Sequence, residues 1–233
     1  HEVKISDINT VWHKPFVDNQ VQLPPNKIIG RRKAKNNGND ITIVGVEVPL
    51  YVGRHHSGLS SSLVLEQFNL EAGFIDKLSL AVKGRLVVRP SSDIGWNTRG
   101  AYIDKLGPER ISPYKNLIEV FDHSKLIVCT YPETTFFEAM YSGVPTILLY
   151  KKEYWEAPPE FNDLIKILED VNILFSDSVV ASNHINTIWD NPNYWWSLPE
   201  VVNAREEFFD QCGRVDDNWL DQWSDFFKEQ LIN

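Results

Sequence analysis

The sequence contains little cysteine and no long apolar run, and each scarcity excludes a class of protein. Only two cysteines occur in 233 residues, at positions 129 and 212, and neither has the spacing of a metal site. No apolar stretch approaches the roughly 18 residues that a membrane span requires, and no signal peptide is visible. We therefore expect a protein of a reducing compartment, cytoplasmic or peripheral at the inner face of a membrane, with no transmembrane segment.

Clustered basic residues are also scarce. The net charge is −9, and the nearest basic run, at residues 30–35, is short and flanked by glycine and asparagine. A surface for nucleic acid needs clustered lysine and arginine to neutralise phosphates. The sequence thus predicts no nucleic-acid partner, and the basic run is typical of a solvated loop.

Branched apolar runs separated by helical patterns dominate the middle of the chain. Such runs predict buried strands at residues 41–48, 85–90, 126–129, 144–149 and 173–176, and a very short strand at 111–112. Helical spacing of apolar residues is found in most of the intervals, including a long stretch from Leu63 to Leu78 with some irregularity near Gly73 and a helix from Leu117 to His123. This alternation predicts an α/β fold with a Rossmann-like, doubly wound parallel sheet covered on both faces.

The two ends of the chain differ from this middle region. Residues 1–40 contain scattered prolines and an Asn/Gly run, which predict an irregular N-terminal segment or linker. Residues 41–192 are expected to form the Rossmann-like domain. Residues 193–233 predict aromatic-rich C-terminal helices that pack on that domain. The chain begins with His1 rather than methionine, so we expect a fragment of a longer protein.

The stretch from 126 to 150 is the most informative part of the sequence. An apolar strand is followed by a polar turn, and a short helix then runs to Gly143 before the next strand begins at Val144. Glycine commonly ends helices in this way. Strand, turn, helix and strand make a βαβ unit, whose helix N-terminus offers backbone N–H groups to an anion.

Three loops after predicted strands carry polar side chains suited to a phosphate and a sugar. Such loops lie at the carboxyl edge of a parallel sheet, where ligands bind. Their residues offer guanidinium groups, hydroxyls and a carboxylate that can accept hydrogen bonds from a diol. The candidates are Arg54, His55, His56 and Ser57 in the first loop, Arg89, Ser91, Ser92 and Asp93 in the second, and Thr130, Thr134, Thr135 and Glu138 in the third.

Each candidate also has a structural alternative, and these alternatives stay open. Thr134 or Thr135 could cap the helix, since serine and threonine commonly do so. Arg89 could form a structural ion pair, and Glu138 could be an exposed helix acid. The adjacent histidines could belong to an ordinary polar loop, because no cysteine or carboxylate stands at ligand spacing.

The run from Ile111 to Leu149, with Thr134-Thr135, Glu138-Ala139 and Gly143-Val144-Pro145, resembles the donor-binding half of GT-B glycosyltransferases. The wider pattern, with Trp195-Trp196 near the end, resembles O-antigen and surface-polysaccharide transferases. The resemblance implies the C-terminal domain of a GT-B enzyme, with a nucleotide sugar as its substrate. By this similarity Glu138 binds the ribose, the two threonines bind phosphate, and the backbone of Ile111 and Ser112 meets the base.

The resemblance further implies a glycosyltransferase that uses no metal or other cofactor. His55, Arg89 and Asp93 are candidate catalytic residues, and Asp104 is a further candidate base by loop position. A glycan or lipid-linked acceptor would be held by a missing N-terminal domain. Residues 131–133 stand where many relatives have glycine, which favours a single-phosphate donor such as CMP-linked Kdo. A sugar-nucleotide epimerase of the same fold and a non-catalytic interaction domain remain alternatives.

Overall fold

The structure is a computed structural model that describes residues 5–46, 49–51, 61–92, 94–155 and 157–232. The chain forms two compact units. The smaller comprises His1–Arg32 and Val202–Asn233, and the larger comprises Lys33–Val201. The larger unit contains the central sheet and every predicted binding residue that the structure describes.

The described residues form seven strands. They are β1 (Asn9–Val11), β2 (Gln20–Gln22), β3 (Asp40–Val44), β4 (Leu86–Arg89), β5 (Ser124–Cys129), β6 (Thr146–Leu149) and β7 (Leu174–Phe175). The last five make one sheet in the order β4-β3-β5-β6-β7, and all neighbouring strands are parallel. Its three central strands are almost wholly buried, as expected when both faces of a sheet are covered. The predicted α/β class with a parallel sheet is therefore confirmed.

One residue extends this sheet beyond β4. Ile111 makes an isolated parallel bridge with Val88, and the amide of Ser112 donates to the Val88 carbonyl over 2.8 Å. Counting this position, the sheet order in terms of sequence is 3-2-1-4-5-6, which is that of the Rossmann fold. The strand predicted at 111–112 is this single bridge, because Pro113 has no N–H to continue a ladder.

Helices connect the strands and continue to the end of the chain. The α-helices are α1 (Ser61–Lys77), α2 (Leu80–Lys83), α3 (Thr98–Leu106), α4 (Leu117–His123), α5 (Thr134–Ser142), α6 (Asn162–Asp170), α7 (Ser178–Ile188), α8 (Pro192–Trp196), α9 (Pro199–Cys212) and α10 (Trp219–Ile232). Short 3-10 turns occur at Pro108–Arg110, Lys152–Tyr154 and Pro159–Phe161. The alternation of strand and helix follows the predicted sequence of elements closely.

Two local expectations need correction. The first strand was expected to reach residue 48, but β3 ends at Val44; residues 47 and 48 lie outside the described part of the chain. An irregularity was expected near Gly73, yet α1 runs through it without a break. A Cβ atom at this position would lie 3.1 Å from Ser178 Oγ. The glycine therefore permits close packing of α1 against α7.

Adjacent tryptophans attach α8 to the rest of the larger unit. Trp195 donates its indole N–H to the Val171 carbonyl over 3.2 Å, and Trp196 donates to the Gly143 carbonyl over 3.1 Å. Both rings are about 5% exposed. They anchor the helix by burial and by satisfied N–H groups, as the sequence suggested for this aromatic pair.

The smaller unit combines the two ends of the chain. Strands β1 and β2 pair in parallel, from Asn9 opposite Gln20 to Val11 opposite Gln22, within the segment expected to be irregular. Trp223 of α10 donates to the Pro24 carbonyl over 3.1 Å. Among the described helices of the whole chain, none is both long enough and apolar enough to cross a membrane.

Candidate functional site

The carboxyl ends of β3 and β5 mark the centre of the candidate site. These strands are neighbours, and the sheet order runs in opposite directions on either side of them. In open α/β sheets, ligands bind outside the carboxyl ends of the strands at this reversal. The turn at residues 130–133, between β5 and α5, lies at this point.

Helix α5 begins without a threonine cap. The cap position is Glu133, which has extended backbone angles (φ −123, ψ −161), so Thr134 and Thr135 are the first two helical residues. Within the described residues, the Glu133 side chain makes no capping hydrogen bond. The first N–H groups of a helix have no intrahelical partner. This geometry removes capping as the explanation for either threonine and leaves a helix start suited to an anion.

Glu138 lies on the same side of α5 as this helix start. It follows Thr134 by four residues and Thr135 by three, so the three side chains share one helix face. Its side chain is half-buried. Burial raises the pKa of Tyr131, and the nearby charges of Glu133 and, to a smaller extent, Glu138 raise it further. The carboxylate is thus close to the turn that precedes the helix, as a ribose-binding group would need to be.

Arg89, Ile111 and Ser112 lie on the β4 side of the sheet. Arg89 is the last residue of β4, and its guanidinium lies 3.5 Å from the Lys115 carbonyl. Ile111 is only 8% exposed, and its amide donates to the Pro108 carbonyl over 3.2 Å. The Ser112 hydroxyl accepts a hydrogen bond from the Tyr114 amide over 3.3 Å. This group is separated from α5 by β3, the strand between β4 and β5.

Thr130 differs from the other candidates because it is completely buried. Its hydroxyl donates to the carbonyl of Val44 over 3.3 Å, which joins the ends of β5 and β3. This buried hydrogen bond stabilises the turn at residues 130–133. Direct contact of Thr130 with a ligand stays a prediction.

Five candidates lie outside the described residues: Arg54, His55, His56, Ser57 and Asp93. Asp104, the further candidate base, is an exposed residue of α3. Among the residues that are described, no group of three His, Cys, Asp or Glu side chains is arranged to hold a metal ion.

A buried polar cluster beneath the site was not predicted from the sequence. Glu71 of α1 is 5% exposed, and it accepts hydrogen bonds from the Tyr102 hydroxyl and from Gln67, the latter over 3.0 Å. The available signal was the pair Gln67 and Glu71, four residues apart on a helix whose neighbouring positions 70 and 74 are apolar. A carboxylate on a buried helix face is rare unless it has partners.

A cavity of about 480 Å³ lies beyond the end of β6. Its walls include Tyr150, Lys152, Trp155 and Lys166. The ring of Trp155 lies 6.1 Å from that of Tyr131, which places the cavity beside the turn before α5. Lys152 pairs with Glu169 over 2.5 Å. Cavities of this size that combine aromatic rings with a few polar groups are typical of small-molecule sites.

Comparison with known proteins adds one match. A protein-family model described as "LIC12162 family transferase" matches residues 1–227, which is nearly the whole chain. No curated protein matches the chain. The chain therefore belongs to the LIC12162 family of transferases, and the name of that family supports an enzyme.

Proposed function

We propose that this LIC12162 family member is a glycosyltransferase of the GT-B type, and that its parallel-sheet unit binds a nucleotide sugar. The main support for this proposal is the arrangement of side chains at the start of α5. Thr134, Thr135 and Glu138 share a helix face where the sheet order reverses. The first amides of a helix and the hydroxyl of Thr134 suit a phosphate, while the Thr135 hydroxyl already contacts the Tyr131 hydroxyl over 3.2 Å; a carboxylate one turn further suits the two hydroxyls of a ribose.

The remaining candidates take the roles that the resemblance assigns to them. The backbone of Ile111 and Ser112 contacts the base, while Arg89 faces the phosphate or the sugar. Arg54, His55 and Ser57, which lie outside the described residues, are proposed to contact the phosphate or the sugar. Thr130 acts by supporting the turn, through its hydrogen bond to the Val44 carbonyl.

Catalysis in this proposal consists mainly of positioning the donor and stabilising the leaving phosphate. Arg89, the first amides of α5 and His55 supply positive charge and hydrogen bonds where negative charge develops. Asp93 stays a candidate for a proton-accepting role. A glycan or lipid-linked acceptor would be held by a second, N-terminal domain, as the two-domain architecture of GT-B enzymes implies.

A CMP-linked sugar acid such as Kdo is the donor that we favour. Tyr131, Pro132 and Glu133 occupy the turn before α5, which leaves less room than glycine would for a diphosphate. The neighbouring cavity is lined by Lys166, whose positive charge attracts a sugar carboxylate, and by Lys152, which already pairs with Glu169. Such a donor agrees with a role in surface-polysaccharide or O-antigen assembly.

Calorimetric titration with CMP-, UDP- and GDP-linked sugars tests the proposal. We expect binding of at least one donor, and a loss of about tenfold in affinity for Glu138→Ala, because two hydrogen bonds to a carboxylate disappear. Glu138→Gln should keep part of the affinity, since its amide oxygen still accepts.

The matched control is Glu206→Ala, which removes an exposed carboxylate from α9 and should bind like the parent protein. Two results would contradict the proposal: no binding of any of the three donors, or an unchanged affinity in Glu138→Ala.

A further inference from the structure

A polar network at the carboxyl edge is centred on Glu71, which the proposed mechanism does not use. The Tyr102 hydroxyl donates to one carboxyl oxygen, and the Gln67 amide donates to the other over 3.0 Å. Thr130 is the weakest of the three partners of this carboxyl, because its single hydroxyl proton is also donated to the Val44 carbonyl. Burial raises the pKa of Glu71, and these three hydrogen bonds oppose the rise. A buried carboxyl group with several partners is costly to build, and each partner removed leaves a group unsatisfied.

The partners of Glu71 come from different segments of the carboxyl edge. Tyr102 lies on α3, which follows β4, and its ring contacts Phe68 of α1 with centroids 5.4 Å apart. Thr130 directly follows β5, and its hydroxyl donates to the last carbonyl of β3, that of Val44. One carboxyl group is thus connected to the segments that follow three strands.

Gln67 carries the network to a fourth strand end. Its amide N–H group also reaches the Leu149 carbonyl, at the end of β6, over 3.2 Å. Its oxygen accepts from the Lys151 amide over 3.4 Å. Lys151 stands directly before the turn Lys152–Tyr154, which borders the large cavity. The same two side chains of α1, Gln67 and Glu71, therefore fix both the turn before α5 and the wall of the cavity.

A small cavity lies beside the Glu71 network and has room for solvent. A cavity of about 30 Å³ is lined by Gln67, Glu71, Thr98 and Tyr102, among others. This volume holds about one water molecule, and its polar walls provide the partners that a buried water needs.

We propose that Glu71 is a positioning residue, which holds the carboxyl ends of β3, β5 and β6 together so that the start of α5 and Glu138 face the nucleotide. The inference rests on the proposed function for its ligand. Glu71 acts through Thr130 and Gln67 and does not touch the substrate itself.

The test compares Glu71→Leu, Glu71→Gln and Tyr102→Phe with the parent protein. For each variant, donor affinity is measured by calorimetry, and amide hydrogen exchange is measured without ligand. Glu71→Leu should lose about tenfold or more in affinity and exchange faster at residues 130–135 and 150–155, because buried donors lose their acceptor. Glu71→Gln, which keeps one acceptor and the side-chain shape, should recover most of the affinity. Tyr102→Phe removes one hydroxyl and should fall between the two.

Asp122→Asn is the matched control. Asp122 is a buried carboxylate on α4, it accepts from the Lys35 amide over 2.9 Å, and it lies near the amino end of β5. Its replacement should leave donor affinity and exchange at the carboxyl edge unchanged. Equal losses in Asp122→Asn and Glu71→Leu would overturn the proposal, because they would indicate general destabilisation.

The remaining outcomes also decide the question. If Glu71→Leu does not fold, Tyr102→Phe decides, and parental affinity and exchange in that variant would overturn the proposal. If the parent protein binds no donor, the proposed function fails. The exchange data then decide alone: faster exchange confined to the two edge segments supports the positioning role, and uniform or unchanged exchange rejects it.

Discussion

The backbone amide of Thr134 is the first donor of α5, and proline can remove this donor without removing the helix. Proline is tolerated at the first helical position because the N–H there has no intrahelical partner. It also requires an extended residue before it, and Glu133 already has that conformation. A proline at position 134 therefore removes a donor for the phosphate while the helix still folds.

We expect Thr134→Pro to fold with an unfolding free energy within about 1 kcal/mol of the parent and to lose about tenfold in donor affinity. Urea denaturation and calorimetric titration measure the two quantities. Ser178→Pro is the control, since it occupies the first position of α7 after Asp177, which is also extended. If Thr134→Pro folds and binds like the parent, the amide of Thr134 does not hold the phosphate.

His184 gives a prediction about pH. Burial against Phe175 and Trp195 lowers the pKa of His184 from 6.5 to about 4. Between pH 6.5 and about 4, His184 therefore binds a proton in the unfolded chain but not in the folded chain. This contribution to stability is present above pH 6.5 and is lost as the pH falls toward 4.

Between about pH 7.5 and about pH 5 the loss attributable to His184 should be at most about 2 kcal/mol, because the ring is partly exposed. His184→Phe should therefore lose less stability than the parent over this interval. Urea denaturation of both proteins at the two pH values gives the difference. Equal losses in parent and variant would show that His184 is not the group responsible.

Side-chain contacts between distant residues were the feature that the sequence predicted least well. Glu138 and the two threonines were recognised from their spacing after a predicted strand. Glu71 and Tyr102 were not, because their relation exists only after α1 and α3 pack over the strand ends. A hydrogen bond between residues 31 positions apart leaves no local pattern in the sequence.

At the scale of elements, α5 ends as its sequence predicts. Gly143 follows the last helical residue in the left-handed region, with φ of 86°. A Cβ atom there would meet nothing within 4 Å, so the cost of a side chain would come from the backbone conformation alone. The expected value is about 1–2 kcal/mol for alanine and less for asparagine, which tolerates this region better.

We thus expect Gly143→Ala to lower the unfolding free energy by about 1–2 kcal/mol and Gly143→Asn to lower it less. Chemical denaturation measures both. Because Trp196 donates to the carbonyl of residue 143, a backbone group, that bond should survive in either variant. Equal stability of all three proteins would refute the conformational explanation.

The order of elements could be predicted from apolar runs and helical spacing, but some boundaries could not. Helix α4 has the predicted bounds, Leu117–His123, while β3 is shorter than its apolar run. Gly73 was interpreted as a local irregularity, whereas it serves the packing of α1 on α7. A glycine in a helix costs stability wherever it stands, so only the packed structure shows what it permits.

In the molecule as a whole, the parallel sheet follows from strands whose residues are largely apolar and buried. Such strands must be covered on both faces, and helices between them provide the cover. The pairing of β1 with β2 could not be predicted from the sequence, because the residues of these strands lack a strong apolar pattern. The division into His1–Arg32 with Val202–Asn233 and Lys33–Val201 likewise depends on contacts between distant parts of the chain.

The proposed roles of Thr134, Thr135 and Glu138 all require a nucleotide at the start of α5. A crystal structure of the protein with the bound CMP moiety of a donor tests this claim most directly. We predict that the phosphate lies against the amides of Thr134 and Thr135 and that both ribose hydroxyls donate to Glu138. A nucleotide bound elsewhere, or one with its ribose directed away from Glu138, would contradict the account.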